Sequence, residues 1–224
     1  MDFDTVVRTT FAAREFTDQP VSDATVAGLL EQARFAPSGG NRQGWRVIVV
    51  RAEETRVAMT ELMTPVAQRY VAERLAGENP YSSITPSRVT AADIRAVDVP
   101  PGLLDWVHTA PVILVVCVDL DVVATFDAEL DRVGLIGGAS VYPFAWNILL
   151  AARNEGLGGT LTTFLAGAEP AAQRLLAIPR QFAVSGAIPL GHPVRQLTRL
   201  RRKPVSEFAS LERFDGPALD GGPK

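Results

Sequence analysis

The longest uninterrupted apolar run, Pro111 to Val118 (PVILVVCV), is only eight residues long. A helix needs about 18–20 apolar residues to cross a bilayer, so this chain offers no transmembrane span and the run itself is strand-sized. A chain of 224 residues with 47% hydrophobic and 21% charged residues therefore builds its core from short elements. Its length fits one full-sized domain covering 1–224. Lys and Arg number 22 against 25 Asp and Glu, a net charge of -3, which points to neither a nucleic-acid nor a membrane partner. The segment from Met1 to Phe16 lacks the apolar core of a secretory leader and carries Asp2 and Asp4, so the expected location is cytoplasmic. The single cysteine, Cys117, lies between Val116 and Val118 and reads as a buried strand residue rather than a reactive thiol.

Local patterns divide the chain. Residues 22–36 predict a helix with Ser22 as N-cap and Val26, Leu29, Leu30 and Ala33 on one face, stopped by Pro37. Residues 37–44, PSGGNRQG, have turn composition, and Trp45 to Val50 read as a strand. A second helix is expected over 54–75. Residues 76–103 hold four prolines and little periodicity; a loop of that length is either a functional lid or channel wall, or a solvent-exposed insertion. A strand over 111–119 precedes a long helix over about 134–155, rich in Gly and Ala, which Pro143 either kinks or delays. Its small residues suit a dimer core or an intrachain core helix equally. GLGGTLTTF (156–164) reads as turn then strand, 169–178 as a short helix, and 182–190 as a strand. The tail, 194–224, has few core-forming residues and is expected to wrap around something.

Three clusters carry the candidate chemistry. They are the arm from Arg8 to Phe16, the segment Pro37 to Trp45, and the basic stretch RQLTRLRRK (195–203), with five Lys or Arg in nine positions. Arg201, Arg202 and Lys203 would clamp a phosphate if they are more than a solvated face, and Arg14 would add a cation. In Ser38-Gly39-Gly40-Asn41-Arg42-Gln43, bare glycines let a flat ring approach the backbone. Asn and Gln each offer a donor and an acceptor there. Tyr70, Tyr81, Trp106 and Phe126 are candidate pocket walls. There is no G-x-S-x-G elbow, P-loop or G-x-G-x-x-G at a strand-to-helix junction. The two histidines, His108 and His192, have no companion at metal spacing. A chain without an evident acid, base or nucleophile fits chemistry supplied by a cofactor.

Read together, these segments resemble the FMN-dependent nitroreductase family over about residues 3–208. ARFAPSGGNRQGWRVIVV is similar to its A-P-S-x-x-N-x-Q-P-W signature, GLGGTLTTF to its G-L-G turn and strand, IPLGHP to its L-G-[YH]-P turn, and RRKP to its basic tail. The resemblance implies an α+β fold, a central mixed sheet flanked by helices. It also implies an intertwined homodimer with exchanged C-terminal arms, in which both protomers build each FMN site. Ser38, Gly39, Asn41 and Gln43 would contact the isoalloxazine and ribityl chain. Leu161 and the N–H groups of Thr162 and Thr163 would face the flavin N5 edge. Arg201 or Arg202 would hold the phosphate, with Arg14 near the phosphate or the N1–O2 side. The implied activity is NAD(P)H-dependent reduction of nitroaromatics, quinones or similar electrophiles, with no obligatory catalytic side chain and no metal. Two departures stand out. The arm, Thr10 to Phe16, lacks one or two of the family's arginines, so that Arg8 would substitute, and Gly44 replaces the usual proline. The missing cations leave a deazaflavin as an alternative to FMN. Dehalogenation or enone reduction on the same fold, and a flavin-binding role without turnover, are the alternative functions.

Overall fold

A computed structural model describes residues 1–219; the last five residues of the expected 194–224 arm lie outside the described residues. β2 (Val112–Asp119) is buried along nearly its whole length, because its two faces supply two separate cores. Val112, Leu114, Val116 and Val118 point to one side and Ile113, Val115 and Cys117 to the other, as the two-residue period of a strand requires. On the first side pack α2 (Asp23–Ala33) and α6 (Tyr142–Asn154), through residues such as Leu29, Phe144 and Ile148. On the second pack α3 (Glu53–Leu75), α5 (Trp106–Thr109) and α7 (Glu169–Leu175), through Met59, Met63, Trp106 and Ala172.

β1 (Trp45–Val50), β3 (Gly158–Gly159) and β4 (Phe182–Gly191) complete a sheet ordered β1-β2-β4-β3. Every ladder among the described residues is antiparallel, which corrects the expected mixed sheet. Parallel pairing is confined to a single bridge, Ala12 to Gly159. The reason is topological: each strand partner is reached within one chain by a reversal, and no parallel crossover is built. The register of β2 on β4 slips between Val116 and Cys117, where Val116 faces Gly186 and Cys117 faces Val184, a bulge at Ser185.

Several boundaries differ from expectation for local reasons. The helix expected over 134–155 begins only at Tyr142, with Pro143 in its first turn where its missing N–H costs nothing; a 3-10 turn, Ile136–Ser140, precedes it. The strand within 156–164 shrinks to two residues. Three short helices were not anticipated, α5 among them. α1 (Phe3–Thr9) is capped by Asp2, which accepts from the Thr5 N–H. α4 (Ala91–Ala96), inside the 76–103 segment, opens with a reciprocal Thr90/Asp93 capping box. No helix among the described residues is long and apolar enough to cross a membrane.

Candidate functional site

Two glycines make room for the site. A Cβ on Gly158 would lie 2.9 Å from the Ala13 Cβ, and one on Gly159 2.6 Å from the Pro189 carbonyl oxygen. The arm between α1 and α2 uses that bare backbone: the Ala13 N–H donates to the Gly159 carbonyl at 3.0 Å. Further on, the Thr17 N–H donates to His192 at 2.9 Å and the Val194 N–H to Glu15 at 3.1 Å. Ala13 and Phe16 anchor the arm in the core while Arg14, between them, is exposed.

Arg14 thereby borders a cavity of about 480 Å³, whose walls include Val66, Tyr70, Tyr81, Leu103, Trp106, Leu161, Thr162, Thr163 and Phe164. Tyr70 and Phe164 meet edge to face, with ring centroids 5.6 Å apart. Arg14 is the one charged side chain in that lining among the described residues. Of the four candidate aromatic walls, Phe126 is not among the lining residues and is 90% exposed. The two threonine amides are not equivalent. The Thr162 N–H donates to Ala187 at 2.9 Å and its carbonyl accepts from the Ala187 N–H at 2.8 Å, so the sheet engages it. The Thr163 N–H makes no hydrogen bond among the described residues and is an open donor in the cavity wall.

The other predicted residues lie elsewhere. Ser38, Gly39, Asn41 and Gln43 form a tight turn beyond α2, folded on itself. The Gln43 N–H donates to the Ser38 Oγ at 2.9 Å, the Gln43 side-chain amide to the Asn41 Oδ1 at 3.2 Å, and the Gly39 N–H to the Ser140 Oγ at 3.1 Å. Gly40, Asn41 and Gln43 all have left-handed backbones, φ 61°, 52° and 51°; the conformation is free for Gly40 and less favoured for Asn41 and Gln43, of the kind that accumulates at functional sites. Gly44 has a local cause: a Cβ there would come within 2.6 Å of the Val122 Cγ2. This turn is held by α2 and the 136–140 turn on one side of the sheet. The Arg14 cavity is walled by α3 and α5 on the other.

Arg8 pairs with Asp4 at 3.0 Å on the exposed face of α1 and is not among the residues lining the cavity. Arg201 and Arg202 are exposed and also outside it. His108 is partly exposed and clasps α5 to α3, with Glu53 at 2.9 Å and Thr60 at 3.0 Å.

Two buried acids escaped the sequence reading. The Asp127 carboxylate accepts from the N–H groups of Leu135 and Ile136 and from Arg132, and these bonds hold its pKa below the usual range. Glu73 anchors the segment after α3. Neither lies in a motif; each is recognised only by the groups brought to it.

The Nitroreductase family profile matches residues 7–192. The chain belongs to the nitroreductase family. Nitrobenzene nitroreductase of Ectopseudomonas oleovorans is 38% identical over 80 residues, 35% of this chain and 34% of that protein. The chain thus spans about a third of that relative's length. Among solved family folds, NADPH:FMN oxidoreductase from Vibrio harveyi, complexed with NAD+, superposes with a TM-score of 0.68 at 22% identity, covering 96% of this chain and 78% of that one. Iodotyrosine deiodinase bound to FMN and 3-iodo-L-tyrosine gives 0.64 at 18%, covering 89% and 94%. At such identities the likeness is one of fold.

Proposed function

We propose that the protein is an FMN-dependent oxidoreductase that uses NAD(P)H to reduce small conjugated electrophiles such as nitroaromatics and quinones, and that it acts as a homodimer. The observation that carries this reading is the convergence of Arg14 and the unengaged Thr163 N–H on one aromatic-walled cavity. Its volume falls within the roughly 300–1,000 Å³ of small-molecule sites. These residues fit a flavin: an open backbone donor meets a ring-edge acceptor, a guanidinium meets negative charge, and Trp106 and Phe164 bound an apolar slot. Bound FMN would supply two-electron transfer from NAD(P)H to the acceptor, in two half-reactions through one pocket.

The chain's own groups do the rest. Arg14 stabilises negative charge at the cavity without needing to give up a proton, an electrostatic role. The aromatic walls offer stacking surfaces and exclude water. Because Arg8 is engaged by Asp4, the phosphate cations are assigned to Arg14, Arg201 and Arg202.

The separation of the two halves supports the homodimer. Ser38, Gly39, Asn41 and Gln43 cannot reach the Arg14 cavity of their own chain across the sheet, so the turn of a second copy completes each site. Tyr142 and Trp146 on α6 are 45% and 44% exposed, and Phe208 and Phe214 in the tail are exposed as well. Apolar groups left in water at this density mark an interface, and the tail is assigned to the partner's surface.

The test is the visible spectrum of the purified protein before and after anaerobic NADPH. Flavin bands that bleach and return on adding nitrobenzene are the expected result. A preparation that binds no added FMN refutes the proposal.

A further inference from the structure

The long helix α3 ends in a buried acid that none of the roles above uses. The Glu73 side chain is 1% exposed. Its Oε1 accepts from the Arg69 Nε at 2.7 Å and its Oε2 from the Tyr81 N–H at 2.6 Å. Burial pushes the carboxyl's pKa up, but the Arg69 and Tyr81 bonds outweigh burial and hold it below the ordinary glutamate range, so it is ionised at neutral pH. A charge placed in the interior persists only with partners of this kind.

What Glu73 holds is itself unusual. Tyr81 sits at φ 54°, a conformation that bulky residues rarely adopt and that survives only where surroundings over-determine it. Three contacts do so: the Glu73 bond, the Tyr81 hydroxyl donating to the Val66 carbonyl at 3.0 Å, and the Arg69 guanidinium 4.5 Å from the ring centroid. Glu78 closes the far side of the same loop, accepting from the Ser87 hydroxyl at 2.6 Å and the Arg88 N–H at 2.9 Å. Arg69 lies outside the Arg14 cavity, whereas Pro80 and Tyr81 are part of its wall.

We propose that Glu73 is a positioning residue that sets acceptor specificity: by holding Tyr81 in its left-handed conformation it fixes the 77–88 loop as one wall of the cavity, so that planar aromatic acceptors are preferred over compact non-planar ones. This rests on reading the cavity as the site of an FMN-dependent oxidoreductase. The placement supports it. A loop needing only closure has Glu78 for that purpose. The buried charge and the strained backbone hold instead the one residue of that loop whose aromatic ring borders the cavity.

The test uses the full chain loaded with FMN, as wild type, Glu73→Gln and Tyr81→Asn. Asn tolerates a positive φ and so removes the ring while sparing the loop if Glu73→Gln does not fold. With NADPH as donor, the KM for nitrobenzene should rise about tenfold in both variants, the size expected for a lost charge-assisted hydrogen bond. In Glu73→Gln, whose side chain lies outside the cavity lining, the kcat, the FMN affinity and the KM for ferricyanide should stay within about twofold. Amide exchange at Tyr81 should accelerate at least about tenfold in Glu73→Gln. An unchanged ratio of nitrobenzene to ferricyanide KM overturns the proposal, as does loss of FMN in both variants. A wild type without flavin or turnover defeats the underlying reading separately. In that event nitrobenzene binding, followed by tryptophan fluorescence, still decides, and equal affinities for wild type and Glu73→Gln overturn the role of Glu73.

Discussion

Replacing Gly159 by Ala tests whether the arm is seated by bare backbone. The added Cβ would lie 2.6 Å from the Pro189 carbonyl oxygen, 2.7 Å from the Leu190 Cδ2 and 3.1 Å from the Leu149 Cδ2. The first of these is main chain in β4, itself paired to β2, and cannot rotate away. Relief therefore moves β3 off the sheet and takes with it the 3.0 Å bond from the Ala13 N–H to the Gly159 carbonyl. Overpacking of this kind costs about 1–3 kcal/mol and the bond about 1 kcal/mol. Restricting the unfolded chain returns about 0.4–1 kcal/mol. The net, about 2 kcal/mol, is close to a thirtyfold loss in the folding equilibrium and a fall of about 4–8 °C in Tm for a chain of this size. Urea unfolding at fixed protein concentration, followed by circular dichroism, reads the first and calorimetry the second. The control is Gly28→Ala on the exposed face of α2, where an added Cβ meets nothing within 4 Å and should stabilise by about 0.5–1 kcal/mol. If both substitutions shift the midpoint equally, or if Gly159→Ala leaves it unmoved, close approach of β3 to β4 is not what the glycine provides.

Other outcomes are expected. Cys117, whose thiol burial raises to about 11, should resist a thiol reagent at pH 8 in the native protein and react at once in guanidinium; native labelling at the unfolded rate would contradict its burial. Because the folded pKa of Glu73 lies below its unfolded value, its contribution is present above the unfolded pKa and is lost as pH falls through the folded one. The Tm gap between wild type and Glu73→Gln should therefore be widest at neutral pH and narrow below about pH 4; a gap independent of pH would count against an ionised clamp. Asp127→Ala removes the acceptor shared by Leu135, Ile136 and Arg132, and limited proteolysis should then cut within 121–138 at protease levels the wild type survives. Arg14→Ala should weaken FMN binding about tenfold or more, as expected for a charge-assisted contact, measured by recovery of flavin fluorescence; unchanged affinity would remove Arg14 from the site.

The amino-acid sequence by itself determined the elements whose signals are local. Ser22 caps α2, the apolar runs at 45–50 and 112–119 are strands, and Pro143 sets the late start of α6, because caps, two-residue periodicity and proline geometry act within a few residues. Motif order was enough to place the chain in its family. It was not enough to say which motif residues share a cavity. Arg14, Leu161, Thr162 and Thr163 do, while Arg8, Arg201, Arg202 and the 38–43 turn do not. For the 38–43 turn, that division arises from the sheet standing between it and the cavity. Nor could the sequence separate Thr162, whose N–H the bridge to Ala187 consumes, from Thr163, whose N–H stays open. Nothing in the sequence marks Glu73 and Asp127, and only folding surrounds them with the amides and arginines that offset burial of a carboxylate. Hydrogen-bond commitment and the burial of charge depend on partners distant in the chain, so the tertiary structure alone decided them.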